Sequence, residues 1–213
     1  LFAERSAEAV ERAAAIWTRA ALLEPGLIEP LIEATRARIW LVEHDPRPAR
    51  RREHAEAAVA TARACGERAA QSATCDFWLG AALGVRAREK KLSAMGAASE
   101  VENLFRQAAA SDPGLEQGGP DRALALLYAR APGWPFGPGN ARRAVEHARR
   151  AVELAPSFPP NHLALAEALE RARDRAAARR ALGEALRLAL EARDRGDPDA
   201  PEWVEQAQGK LGR

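Results

Sequence analysis

Residues 144–156 read AVEHARRAVELAP, and residues 178–190 read ARRALGEALRLAL. Laid one over the other, Ala144, Ala151 and Leu154 fall on Ala178, Ala185 and Leu188, each displaced by 34 residues. A fixed period of this length marks an array whose unit cannot bury its apolar face alone and does so by stacking on a neighbour. Inside the unit, Ala144, Ala148 and Ala151 recur at helical spacing and share one face, where small side chains let a second helix approach closely. Pro156 stops the helix because its ring cannot continue the hydrogen-bond ladder.

The same pattern recurs upstream around a larger central residue, as Ala13, Trp17, Ala20 and Pro25, and as Val101, Phe105, Ala108 and Pro113. The helices that open the hairpins also match: Leu124, Ala125 and Tyr128 correspond to Leu165, Ala166 and Leu169. The spacing therefore predicts an all-α solenoid of stacked antiparallel helix hairpins, about four repeats forming one domain over 1–213. A helix at 4–24 leads in, hairpins follow at 27–65, 72–111, 119–154 and 158–195, and a capping helix lies at 200–210. Ser99 with Glu102, and Asp199 with Glu202 and Pro201, have the spacing of helix starts. Three hairpins carry lengthened turns, His44 to Pro48, Arg88 to Ala98 and Ala131 to Asn140, expected to gather along one edge as a lid or assembly surface.

Composition agrees with helix. Apolar residues make up 47% of the chain, chiefly Ala and Leu, which lose little side-chain freedom in a helix. The 32 basic residues are balanced by 30 acidic ones, so no basic stripe offers the counterion release that nucleic-acid binding needs. Of the basic residues only Lys90, Lys91 and Lys210 are lysines, so single arginines carry little functional weight. No apolar stretch reaches the roughly 20 residues of a membrane span. The sequence opens at Leu1 without a charged and then apolar leader, which leaves an export signal removed or never included as an open expectation.

Few residues point to chemistry. His44, His54, His147 and His162 lack metal-ligand spacing and read as structural. There is no phosphate-binding glycine loop and no Gly-x-Ser-x-Gly turn, and Glu167 and Glu170 read as surface carboxylates. We therefore expect no catalytic residue, no metal and no cofactor. Cys65 and Cys75 bracket the connection between two hairpins, and are either bridged, which requires an oxidising compartment, or two buried thiols. The least ordinary tract runs from Arg122 and Tyr128 into Ala131-Pro132-Gly133-Trp134-Pro135-Phe136-Gly137-Pro138-Gly139. Its prolines and glycines stiffen a loop that carries two aromatics. Trp134 and Phe136 either plug the seam between hairpins or join Arg122 and Tyr128 in walling a pocket.

Together these residues resemble the tetratricopeptide repeat (TPR) family over nearly the whole chain. The tract from Phe77-Trp78-Leu79-Gly80 through Gly119-Pro120 and Pro132-Gly133-Trp134-Pro135 to Asn161 and Glu167 is similar to the bacterial T component associated with TRAP transporters. That resemblance covers about Ala55 to Leu190. It implies an exported, periplasmic or lipid-anchored helper of an uptake system, with a cytoplasmic location as the alternative and any anchor outside this sequence. The implied function is a non-catalytic scaffold that holds another protein or peptide in its concave groove. The alternative is an accessory protein holding a small apolar or carboxylate ligand. Chaperone-binding TPR modules use a basic and Asn clamp; here Leu163 and Glu167 occupy the corresponding positions, and Arg122 is the one clear basic candidate. The binding candidates are thus Trp134, Phe136, Arg122, Tyr128, Asn161 and Glu167.

Overall fold

The computed structural model describes residues 6–90 and 94–212. They form ten helices: α1 (Ala7–Leu23), α2 (Glu29–His44), α3 (Pro48–Arg68), α4 (Ala73–Lys90), α5 (Ala94–Ser111), α6 (Gly119–Arg130), α7 (Ala141–Leu154), α8 (Pro159–Arg171), α9 (Arg175–Asp194) and α10 (Ala200–Leu211). Among the described residues there is no strand, only an isolated bridge between Gly133 and Gly139. Within α1 to α5 and within α6 to α10 successive helices pack on one another as antiparallel hairpins of TPR type, as the 34-residue period predicts. The chain divides into two compact units, Leu1–Ser111 and Asp112–Arg213, where the repeat pattern alone reads as one domain over 1–213.

The first unit contains α1 to α5. Val10 and Ala14 of α1 close on Ala37 and Leu41 of α2, and Ala21, Leu31, Cys65 and Cys75 form a second apolar cluster. Between α2 and α3 the buried Thr35 hydroxyl reaches the Leu31 carbonyl at 2.8 Å and the Thr61 hydroxyl at 2.9 Å, so two polar groups cross the core in mutual satisfaction. Cys65 at the end of α3 and Cys75 at the start of α4 are disulfide-bonded, with their Cα atoms 5.5 Å apart. On α4, Gly80 lies under the Phe105 ring of α5; an added Cβ would come within 2.7 Å of that ring.

The second unit contains α6 to α10. Ala144, Ala148 and Ala151 are fully buried along α7, the role their spacing assigns them. Leu163, Ala166 and Leu169 of α8 pack with Ala178, Ala181, Leu182 and Ala185 of α9, and Ala207 of α10 closes the end. The predicted capping helix is therefore present as α10. Asn140 and Asp174 cap α7 and α9, their side-chain oxygens accepting from Arg143 N and Ala177 N at 3.0 Å each.

Two local expectations need correction. Ser99 does not start a helix, because α5 is already under way from Ala94; Ala94, Met95, Ala97 and Ala98 are good helix formers that carry the helix past Ser99. Nor are all three turns long. Between α2 and α3 only Asp45, Pro46 and Arg47 intervene, drawn tight by the Asp45 carboxylate accepting from Arg47 N at 2.9 Å. The expected Arg88 to Ala98 turn falls partly on residues 91–93, outside the described residues, and its flanks are helical. Ala131 to Asn140 is the one of the three that is an extended irregular connection.

Candidate functional site

The Ala131–Asn140 loop is built by backbone closure. Asn140 N donates to Tyr128 O at 2.9 Å, Gly139 N to Pro132 O at 2.8 Å and Phe136 N to Gly133 O at 3.0 Å. These bonds bring the strands of the loop so close that a Cβ at Gly137 would lie 2.7 Å from Pro132 O, and one at Gly139 would collide with Ala131 O. Glycine is thus required there for close approach. The outcome is a closed framework from which Trp134 and Phe136 project, 91% and 68% exposed.

This geometry departs from both readings of the loop. Trp134 and Phe136 cover no seam, since they stand in water. They also wall no pocket with Arg122 and Tyr128. Tyr128 is fully buried, its ring stacked under the Arg143 guanidinium at 4.2 Å and beside the His147 ring at 5.5 Å. Behind it, His147 Nδ1 meets the buried Asp121 carboxylate at 2.7 Å. Arg122 lies near the opposite end of α6 from the loop.

Arg122 and Asn161 do come together, as an internal clamp. Arg122 donates to Asn161 Oδ1 at 2.8 Å and to the Glu116 and Gln117 carbonyls at 3.3 Å, and its guanidinium lies over Phe158 at 5.1 Å. Burial pushes the Arg122 pKa down to about 10, still protonated at neutral pH. Asn161, fully buried, donates to the carbonyls of Gln117, Ala151 and Ala155 at 3.0, 2.7 and 3.1 Å. The pair ties the turn before α6 to the end of α7. With its donors engaged in this way, Arg122 is a poor carboxylate receptor. Glu167 is likewise engaged, bonded to Arg130 at 2.5 and 3.0 Å and to Lys210 at 3.4 Å.

The first unit holds a surface outside the predicted set. Along α2, Glu33, Arg36, Trp40 and Glu43 follow at i, i+3, i+7 and i+10, and along α4, Trp78, Ala81, Val85 and Arg88 repeat that spacing. The two stripes face each other: Arg36 lies over the Trp78 ring at 5.5 Å and Arg88 pairs with Glu43 at 3.5 Å. Trp40 stacks on His44 at 4.1 Å. Arg122 is therefore not the one basic side chain on a hairpin-opening helix; Arg36 and Arg88 stand on equivalent helices. Trp40 and Trp78 on two such helices carry the signal in the sequence, but the period of small residues does not run through them.

In the second unit, an open cleft of about 770 Å³ runs beside α7, lined by Arg142, Glu146, Arg149, Glu153, Leu169 and Asp174. Its charged walls are exposed side chains of both signs, over an apolar floor at Leu169. No cluster of His, Cys, Asp and Glu among the described residues has the arrangement of a metal site, and no described helix is long and apolar enough to cross a membrane.

A family model described as the TRAP transporter T-component matches residues 32–196. No curated protein matches the chain. Fourteen chains of solved structures do; one is the crystal structure of MamA protein, 14% identical, covering 86% of this chain and 96% of that one, with a TM-score of 0.49.

Proposed function

The chain belongs to the TRAP transporter T-component family, and from that premise we propose that it is a non-catalytic accessory protein of a TRAP-type uptake system, holding a protein partner on the α2/α4 face. The observation that carries this reading is the paired stripe of Arg36, Trp40 and Glu43 against Trp78 and Arg88. Half-buried indoles framed by opposite charges provide apolar contact area and orienting ion pairs on rigid helices, the combination by which helical repeats grip a chain segment. An exported location suits the Cys65–Cys75 bridge, because such bonds persist in oxidising compartments.

The test is capture of purified subunits of the cognate transport system by the immobilised protein. Wild type should retain a subunit, most directly the one that binds substrate outside the membrane. Arg36→Glu, which places a like charge beside Glu33, should lower its affinity about tenfold while leaving the melting temperature within a few degrees. Equal retention by wild type and variant would remove the α2/α4 face from consideration. The second reading, storage of a small apolar or carboxylate ligand, needs an enclosed receptor that Arg122, Tyr128, Trp134 and Phe136 do not build together. Native mass spectrometry should accordingly give the mass of the bare chain, and a copurified carboxylate would reverse this preference.

A further inference from the structure

Two large aromatic rings standing in water on a closed loop are costly ornaments unless something covers them. The surroundings of Trp134 and Phe136 indicate what. Between Ala131 and Gly139 the remaining residues are prolines and glycines, so no apolar rim encloses the rings as it does at a protein hot spot. From Arg122 through Val145 the sequence contains Arg122, Arg130, Arg142 and Arg143 and no acidic residue. The cations flanking the loop in sequence are Arg130 at the end of α6 and Arg142 and Arg143 at the start of α7; Arg143 lies over the Tyr128 ring, and Arg142 stands at the cleft beside α7. Glu167 is shared between Arg130 and Lys210. Arg142 is exposed and makes no ion pair among the described residues. The N-terminal end of α7, which opens directly after the loop, adds its partial positive charge.

A protruding aromatic tip backed by cations has the chemistry of a bilayer interface. Trp favours the headgroup level, where its ring meets acyl chain and its N–H meets water or phosphate. Arginine can rest its stem on apolar surface while its head reaches an anionic lipid. A bilayer also accepts a convex tip with no matching cavity.

We propose that the Ala131–Asn140 loop is a membrane-surface contact, in which Trp134 and Phe136 enter the headgroup boundary of an anionic bilayer and Arg142 faces its phosphates. This contact peripherally docks the second unit and requires no spanning segment. It is independent of the α2/α4 face.

The experiment is co-sedimentation of the full chain with vesicles of phosphatidylcholine alone or of equal parts phosphatidylcholine and phosphatidylglycerol. Wild type should bind the anionic vesicles, more weakly as salt rises, and bind the neutral vesicles far less. Trp134→Ala with Phe136→Ala should lower partitioning by about tenfold or more, and Arg142→Gln by about fivefold on anionic vesicles only. The melting temperature should hold in both variants, since these side chains are exposed. Trp134→Phe should keep binding but lose the blue shift of tryptophan emission that wild type shows on vesicles. The apolar side chains at the end of α1 supply the control: Leu22→Ser with Leu23→Ser, at positions 74% and 70% exposed, should bind as wild type does. Loss of binding in that variant, or unchanged binding in the aromatic one, overturns the proposal. So does absence of vesicle binding by wild type. A change of oligomeric state on aromatic substitution, without a change in partitioning, would instead make the loop an interface between copies of the chain.

Discussion

Asn161 shows how a residue noted in sequence can acquire a different meaning in three dimensions. It stands two positions into α8, a place that read as part of a binding surface, yet its amide is wholly buried and saturated by three carbonyls and Arg122. Helical spacing can put Asn161 on a face, but it cannot show that the Gln117 turn returns to cover that face from 44 residues away. Replacing it with Leu would strand those carbonyls and remove the acceptor for a partly buried guanidinium. Because buried unsatisfied groups cost about 1–3 kcal/mol each, and part of the loss is relieved by relaxation, Asn161→Leu should lose about 3 kcal/mol in a denaturant titration. A loss below about 1 kcal/mol would mean that water reaches the carbonyls and the clamp is not structural. The exposed Trp134 offers the contrast, since a side chain in water has little folding energy to lose.

At the level of the element, the helix hairpins were legible because their signals are local: small residues at fixed spacing and prolines past the helix ends; the caps at Asn140 and Asp174 came from the structure. The start of α5 was misread because Ser99 and Glu102 imitate a capping pair inside a stretch that is already a good helix former. The α3–α4 junction stood between, since Cys65 and Cys75 visibly bracket it while sequence alone allows a bridge or two thiols. In the structure the sulfurs are joined across a sequence separation of 10, and the pair packs with Ala21 and Leu31. Closing a loop of that size removes unfolded-state entropy worth about 3 kcal/mol. Non-reduced protein should therefore resist alkylation and weigh two hydrogens less than the dithiol, and Cys65→Ala with Cys75→Ala should lower stability by about 3 kcal/mol. Ready labelling of two thiols in protein kept oxidised would contradict the bridge and withdraw its support for an exporting compartment.

For the molecule as a whole, the fold class followed from one period, whereas the sites did not, because function here depends on which side chains remain uncommitted after folding. Arg122, Tyr128, Asn161 and Glu167 looked available and are engaged; Arg36 and Trp78 looked ordinary and are paired across a surface. The same bookkeeping of engaged charges gives the chain its pH response. Burial holds the His54 imidazole below its usual range, so the fold favours neutral His54; its contribution is complete above the unfolded value near 6.5 and is lost as pH falls from there toward the folded value. Asp45, its side chain fully buried, is held well below the carboxylate range by hydrogen bonds from Arg47. That contribution is present above roughly pH 4 and is lost further into acid. Burial would raise the Glu167 carboxyl, but Arg130 and Lys210 together bring it below its ordinary value, with the same sign as Asp45. Asp76, raised by burial, opposes them. The melting temperature should accordingly be level above about pH 7, decline gently below about pH 6.5, and fall steeply below about pH 4. His54→Gln cannot take up a proton in the first window, so its melting temperature should be flat between pH 7 and 5 while the acid limb remains. If the variant declines across that interval as steeply as wild type, His54 is not the group responsible. A variant that instead lost the limb below pH 4 would show that Asp45 depends on His54 for its charge.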